Sequence, residues 1–288
     1  MLAALLPRCD FGAPRPVRCG CSGGADSLAL VALAVAAGLE VTAVHVDHGL
    51  RPGSGDEAAH VATAATRLGA RFETTTVAVA DGPNLEARAR QARRHALGHA
   101  ALTGHTADDR AETVLINLLR GAGGTGLSAM GPSPIRPILA LRRRETRALC
   151  ADLGLRPLQD PSNDDPRFVR NRVRHELLPL LDDIAGRDMV PLLGRTADVL
   201  ASERRALDAA LDGLVTDDAR VIAALAHPVA TAAVRRWLLD AGIRADRAGV
   251  ERVVAVARGS ARSCQLAGGV RVERHLQRLR ILAADRLS

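Results

Sequence analysis

Three stretches of this sequence bring together residue types that suit chemistry on a phosphate ester. The first, Cys19-Gly20-Cys21-Ser22-Gly23-Gly24-Ala25-Asp26-Ser27-Leu28, turns an apolar, strand-like run through two glycines and an acid directly into a helix. Glycine takes positive φ without steric cost, so successive backbone N–H groups can converge on one oxyanion. The helix beginning near Ser27 adds about half a positive charge at its amino end. The stretch therefore reads as an anion cradle formed by Ser22, Gly23, Gly24, Ala25, Asp26 and Ser27. A Walker-type loop is excluded by composition, because that loop needs a lysine on the β- and γ-phosphates and this sequence contains none. The plainer alternative is a strand-to-helix turn in which Ser22 or Asp26 serves as a cap.

The second stretch is Gly104-His105-Thr106-Ala107-Asp108-Asp109-Arg110-Ala111-Glu112-Thr113, where a fourth expected strand passes into a helix. Asp109 and Glu112 are i,i+3 neighbours, Asp108 and Glu112 are i,i+4, and His105 precedes Asp109 by one turn, so the acids gather at one helix start. Part of that acidity suits the helix macrodipole. As a patch facing the phosphate loop, it forms a seat for Mg²⁺ or for a cationic substrate. The third stretch runs from Asp160-Pro161-Ser162-Asn163 through Arg167, Phe168, Arg170, Arg172 and Arg174. Its four arginines repel one another unless an anion answers them, and RNA phosphates would do so. Phe168 then either stacks on a base or is buried in a domain joint.

These motifs carry a family resemblance. Ser22 to Ser27 resembles the SGGxDS loop of the N-type ATP pyrophosphatases, which cleave ATP between the α- and β-phosphates. His105 to Gly121 and the block from Asp160 to Arg174 are similar to signatures of the tRNA(Ile)-lysidine synthetases, a branch of that superfamily. The resemblance implies an adenine nucleotide alpha hydrolase-like fold, ATP and Mg²⁺ as cosubstrate and cofactor, and Asp26 as the acid that helps place the metal. It further implies adenylylation of the wobble cytidine in the CAU anticodon of tRNA(Ile), followed by displacement of AMP by free lysine at C2. Asp26, Arg88, His105 and Asp109 would be catalytic, with Arg90 the alternative to Arg88 at the nucleotide. His105, Asp109 and Glu112 would hold the lysine, and Arg167, Arg170, Arg172 and Arg174 the tRNA. In such enzymes a stretch like Val46-Asp47-His48-Gly49-Leu50-Arg51 lies beside the nucleotide, which competes with reading His45, Asp47 and His48 as metal ligands. Gly121 to Gly126 is either a loop that closes over substrate or a glycine-rich connector after a helix. Two rivals are a tRNA thiolase of the same superfamily, disfavoured by the lack of any CxxC pair, and an RNA-binding protein without turnover.

The elements needed to position these groups follow from periodicity. An apolar helix over 28–37, a β-branched strand over 41–46, a helix over 56–68, a strand over 72–79, a helix over 85–99 and a strand over 101–103 alternate as βα units. Such repetition predicts a doubly wound parallel sheet, with ligands at the carboxyl edge of its strands. A strand-like Ile135-Arg136-Pro137-Ile138 and a helix over 142–153 follow. Beyond them, helices over 189–213, 228–242 and 246–258 precede a β-like end over 263–282. We expect a catalytic domain over 1–185 and a smaller, mainly helical α+β domain for RNA over 186–288. With 288 residues, 47% apolar and a formal charge of +7 carried by arginine, the chain has material for two cores and favours an anionic partner. Its five cysteines show no zinc spacing, its first residues lack a signal-peptide pattern and no segment reaches membrane-span length, so the expected location is the cytoplasm.

Overall fold

The computed structural model describes residues 1–12, 15–47, 54–77, 92, 95–159 and 165–282. Two compact units result, Met1–Ala201 and Ser202–Ser288. In the first unit, strands β1 (Pro16–Gly20), β2 (Glu40–Asp47) and β3 (Arg71–Thr76) form a parallel sheet in that order. Cys19 lies opposite Ala43, and Ala43 opposite Phe72. A short helix α1 (Leu2–Leu5) precedes the sheet, α2 (Ala25–Ala36) follows β1 and α3 (Ser54–Arg67) follows β2. Parallel neighbours need such crossovers, since a tight turn cannot reverse the chain twice. Helix α2 is buried from Ser27 to Ala34, which is why its sequence is apolar all round rather than along one stripe.

The fourth expected strand shrinks to one parallel bridge, Leu102 against Cys19. Gly20 N–H donates to the Leu102 carbonyl (2.9 Å) and Leu102 N–H to that of Arg18 (2.8 Å), which places residue 102 on the side of β1 away from β2. Sheet order thus reverses beside β1, and the crevice of a doubly wound sheet opens at such a point. The expected strand over 135–138 is a series of turns instead. Ile135 still accepts from Thr103 N–H at 2.8 Å, but Pro137 has no N–H to continue a ladder. Of the helix expected over 85–99, residues 92 and 95–97 are helical, while 85–91, 93 and 94 lie outside the described residues.

Helices α4 (Ala107–Leu119), α5 (Gly124–Leu127) and α6 (Arg143–Asp152) complete the framework of the site. The glycine-rich connector is therefore ordered as a helical turn, tied by Asn117 Nδ2 donating to the Gly126 carbonyl at 2.7 Å. Leu141, Leu149 and Cys150 join Leu28, Leu30 and Leu33 in one core, so α6 packs on the buried α2. Downstream, α7 (Val169–Arg172) runs through a π turn (Val173–Leu177) into α8 (Leu178–Ala185), and α9 (Val190–Ala210) follows.

The second unit has its own core, centred on Ile222, Val234, Leu238, Val253 and Val272. Helices α10 (Ala219–Ala224), α11 (His227–Asp240) and α12 (Arg247–Ala257) pack with an antiparallel sheet of β4 (Ser263–Gln265), β5 (Arg271–His275) and β6 (Arg278–Leu282). Alternation along β5 buries Val272 and leaves Arg271 exposed, as its pattern demands.

Candidate active site

The loop between β1 and α2 has the conformation its glycines permit. Gly23 sits at φ +83, Gly24 is the extended N-cap at ψ 160, and α2 begins at Ala25 with Asp26 in its first turn. Its N-cap Gly24 has no side chain, so among the described residues the first N–H groups of α2 carry no side-chain cap. Ser27 Oγ donates to the Gly24 carbonyl (2.8 Å) and Ser22 Oγ lies 3.5 Å from Ser27 Oγ. Buried His45 donates from Nδ1 to the Cys21 carbonyl at 3.1 Å, so it braces the loop as a turn partner. The chain after α6 returns here, with Leu158 N–H bonded to the Gly23 carbonyl (2.9 Å). A Cβ on Gly23 would lie only 2.5 Å from the Leu158 Cδ1.

Gly104 presses against the same loop. A Cβ there would lie 2.7 Å from the Asp26 carbonyl oxygen and 2.9 Å from its carbonyl carbon, both rigid backbone atoms. This contact sets Thr106 and the start of α4 beside Asp26. Thr106 and Asp109 form a reciprocal cap: Thr106 N–H and Oγ1 both donate to Asp109 Oδ2 at 2.9 Å, and Asp109 N–H donates to Thr106 Oγ1 at 3.5 Å. His105 Nδ1 is 2.8 Å from Thr103 Oγ1.

The acids of α4 diverge. Asp108 accepts from Arg142 Nε (3.0 Å) and from Arg143 N–H (2.8 Å), and so fastens the first turn of α6. Asp109 and Glu112 instead meet the Arg143 guanidinium: Nη2 donates to Asp109 Oδ1 and Nη1 to Glu112 Oε1, each at 2.9 Å. Arg143 Nε is also 3.5 Å from Asp26 Oδ2, while Asp26 Oδ1 accepts from Thr146 Oγ1. One guanidinium thus touches the loop acid and two of the three acids of α4. Burial pushes the Asp26 carboxyl up, offset in part by Thr146. Burial also pushes Asp109 upward, but the Arg143 charge and the Thr106 donors prevail and hold it below the usual carboxylate range. Arg143, ringed by acids, is raised despite its burial.

The arginine-rich segment is answered by carboxylates of the protein itself. Fully buried Glu112 takes Arg174 through Nε (2.7 Å) and Nη2 (3.2 Å), with Arg170 Nε at 3.6 Å. The π turn that interrupts this helix lies where Arg174 leaves it toward Glu112. Arg167 pairs with Asp165 (2.6 Å) and Arg172 with Glu176 (2.8 Å) on the exposed side. Phe168 is 38% exposed, which excludes burial in a joint within its own unit. Arg88, Arg90, the 48–51 stretch and residues 160–164 lie outside the described residues.

Residues 10–181 match the family model of the PP-loop domain. Along the sequence the chain is 42% identical to the tRNA(Ile)-lysidine synthase of Nocardia farcinica (strain IFM 10152), covering 98% of this chain and 92% of that protein. It is 45% identical to the enzyme of that name in Rhodococcus erythropolis (strain PR4 / NBRC 100887), covering 82% and 77%. This chain belongs to the tRNA(Ile)-lysidine synthase family. Among solved structures, the U34-tRNA thiolase NcsA from Methanococcus maripaludis with its [4Fe-4S] cluster has the same fold at TM-score 0.53 and 18% identity, covering 69% of this chain and 76% of that one.

Within the lysidine synthase family frame, the residue that motif reading missed is Arg143. Arg142, Arg143 and Arg144 stand at the start of α6, where the macrodipole disfavours cations, and that anomaly is the signal the sequence offers. Burial pushes the Cys19 thiol up to about 12 and Cys150 to about 11, so both stay protonated and unreactive near neutrality. Among the described residues no group of three His, Cys, Asp or Glu is arranged for a metal, and no helix is long and apolar enough to cross a membrane.

Proposed function

We propose that this protein makes lysidine in the CAU anticodon of tRNA(Ile), consuming ATP and free L-lysine in the cytoplasm. The observation that carries the reading is the 42% identity to a lysidine synthase over 98% of the chain, which includes the anion loop, the acidic helix start and the second unit. In the first step O2 of the cytidine attacks the α-phosphorus of ATP, the bond to the β-phosphate oxygen breaks, and pyrophosphate leaves. The N–H groups from Ser22 to Ser27 and the amino end of α2 receive the leaving charge. In the second step the lysine amine attacks C2, the C2–O bond breaks and AMP departs, while the amine's proton passes to a carboxylate of the Asp109 cluster. Asp109 and Glu112, with His105 beside them, hold the ammonium end of the amino acid, and the cap that fixes Asp109 on Thr106 supplies orientation.

Mg²⁺ commonly takes one or two protein carboxylates and completes its shell with phosphate oxygens and water. Asp26 fits that modest demand. Its carboxylate stands at the first turn of α2, it is a hard oxygen donor, and its side chain keeps 25% exposure. Bound there, the ion would neutralise phosphate charge. Arg88 is assigned to the nucleotide, residues 1–185 to catalysis, and residues 186–288, with the exposed Arg167 and Arg172 of the first domain, to tRNA, whereas Arg170 and Arg174, expected there from the sequence, face Glu112 instead.

The decisive assay incubates purified protein with ATP, radiolabelled lysine and a CAU-anticodon tRNA(Ile) transcript. Label is expected in the tRNA with AMP and pyrophosphate formed in equal amounts. AMP release without labelled tRNA, or label without ATP, overturns the assignment.

A further inference from the structure

The carboxylates assigned to the incoming amine already hold a cation. Arg143 gives one N–H to Asp109 and one to Glu112, both at 2.9 Å, and its Nε faces Asp26 at 3.5 Å. Its base is fixed, because Asp108 accepts its N–H at 2.8 Å and Thr146 Oγ1 binds its carbonyl at 2.8 Å while also reaching Asp26. Among the described residues the far end of the side chain is anchored by the three acids. All three have other support, Asp26 from Thr146. Glu112 keeps Arg174 by two hydrogen bonds and Asp109 Oδ2 keeps Thr106, while Arg143 meets Asp109 Oδ1 and Asp26 Oδ2.

We infer that Arg143 is a resident cation exchanged against the amine substrate: an ammonium takes its place on Asp109 and Glu112, and the released guanidinium serves the phosphates beside Asp26. Glu112 already answers both Arg143 and Arg174, so an added ammonium and the Arg143 guanidinium compete for Asp109 Oδ1. A short swing about the Arg143 side-chain torsions keeps Nε near Asp26, the side on which pyrophosphate departs, and puts a bidentate donor on the developing negative charge. No proton moves in the exchange. An empty site then keeps its acids neutralised, and a filled one gains a phosphate ligand, which couples occupancy by the amine to the nucleotide step. This inference rests on the lysine assignment above.

The test pairs equilibrium dialysis of radiolabelled lysine against the protein alone with AMP formation on tRNA(Ile) at saturating lysine, for wild type, Arg143→Gln and Arg143→Lys. With the competitor removed, Arg143→Gln is expected to bind lysine about tenfold more tightly, a coupling of ordinary size, while its AMP formation falls by about a hundredfold. Free guanidinium at millimolar concentration should restore part of the rate and weaken lysine binding again. Arg143→Lys, which keeps one charge but cannot span both acids, should fall between. If Arg143→Gln shows no cooperative melt, Arg143→Lys decides by the same two readouts. Lysine bound equally or more weakly by the variants, with wild type labelling tRNA, overturns the exchange alone. Failure of wild type to label tRNA overturns both the function and this inference.

Discussion

Asp26 is the residue whose two surroundings pull in opposite directions. It sits at a helix start beside Arg143 and Thr146, yet burial dominates and raises it above an ordinary aspartate. A folded-state value above the unfolded one means that the native protein binds a proton more tightly. Its contribution favours the fold at low pH and is lost as pH rises from about 3.9 through the raised value. Asp109 has the opposite sign, since its lowered value stabilises the fold above about 3.9 and fails only as pH falls through it. Asp26→Asn should therefore gain melting temperature relative to wild type as pH is taken from about 4 to about 7. Thermal unfolding monitored by circular dichroism over that range checks it, and a difference that stays flat with pH contradicts burial as the dominant cause. The same variant should lose pyrophosphate release while retaining tRNA binding. An unchanged rate of release would remove the loop from the nucleotide site.

At the level of elements, the site depends on one backbone crossing, Gly104 over Asp26 and Ser27. Gly104→Ala puts a methyl group 2.7 Å from a carbonyl oxygen that cannot rotate away, an overpacking that costs about 1–3 kcal/mol and displaces the loop. We expect a lower urea midpoint and near-complete loss of pyrophosphate release. Gly123→Ala, at an N-cap with open space around it, should change neither by much. Equal behaviour of the two variants would show that the crossing does not position the loop. The local signals for this arrangement stand in the sequence: two glycines before Asp26, the β-branched run of β2, and Thr106 three residues before Asp109. What does not stand there is the pairing between distant segments. Nothing local to α6 says that Arg143 reaches three acids, because that follows from Asp108 fastening its N–H across 35 positions. Periodicity places Leu102 within a strand, yet the partner needed beyond it is a turn containing Pro137. The turn at Leu276 and Gln277, both at positive φ, is equally invisible, since neither residue prefers that conformation.

For the molecule as a whole, the charge of +7 is less informative than how each arginine is engaged. In the segment after residue 164, burial separates two classes. Arg167 and Arg172 are 86% and 62% exposed and pair only with exposed or local acids, so their present partners hold them weakly and phosphates can replace those partners. Arg174, 20% exposed, is instead committed to a carboxylate with no exposure at all. Replacing both Arg167 and Arg172 by Ala should leave stability unchanged, weaken tRNA binding, and reduce the slope of log affinity against log salt by up to about two, one for each phosphate no longer neutralised. Arg174→Ala strips Glu112 of its bidentate partner in the interior. It should cost about 3 kcal/mol of folding free energy, the lower end for an opened buried pair because Arg143 still reaches the same carboxylate. Urea unfolding and filter binding over a series of salt concentrations separate the two effects. A salt slope unaltered by the double variant would move the tRNA off this segment, and the cations of the second unit would then have to bind it. An Arg174→Ala protein of native stability would instead show that Glu112 needs no more than Arg143, and would free Arg174 for the nucleic acid.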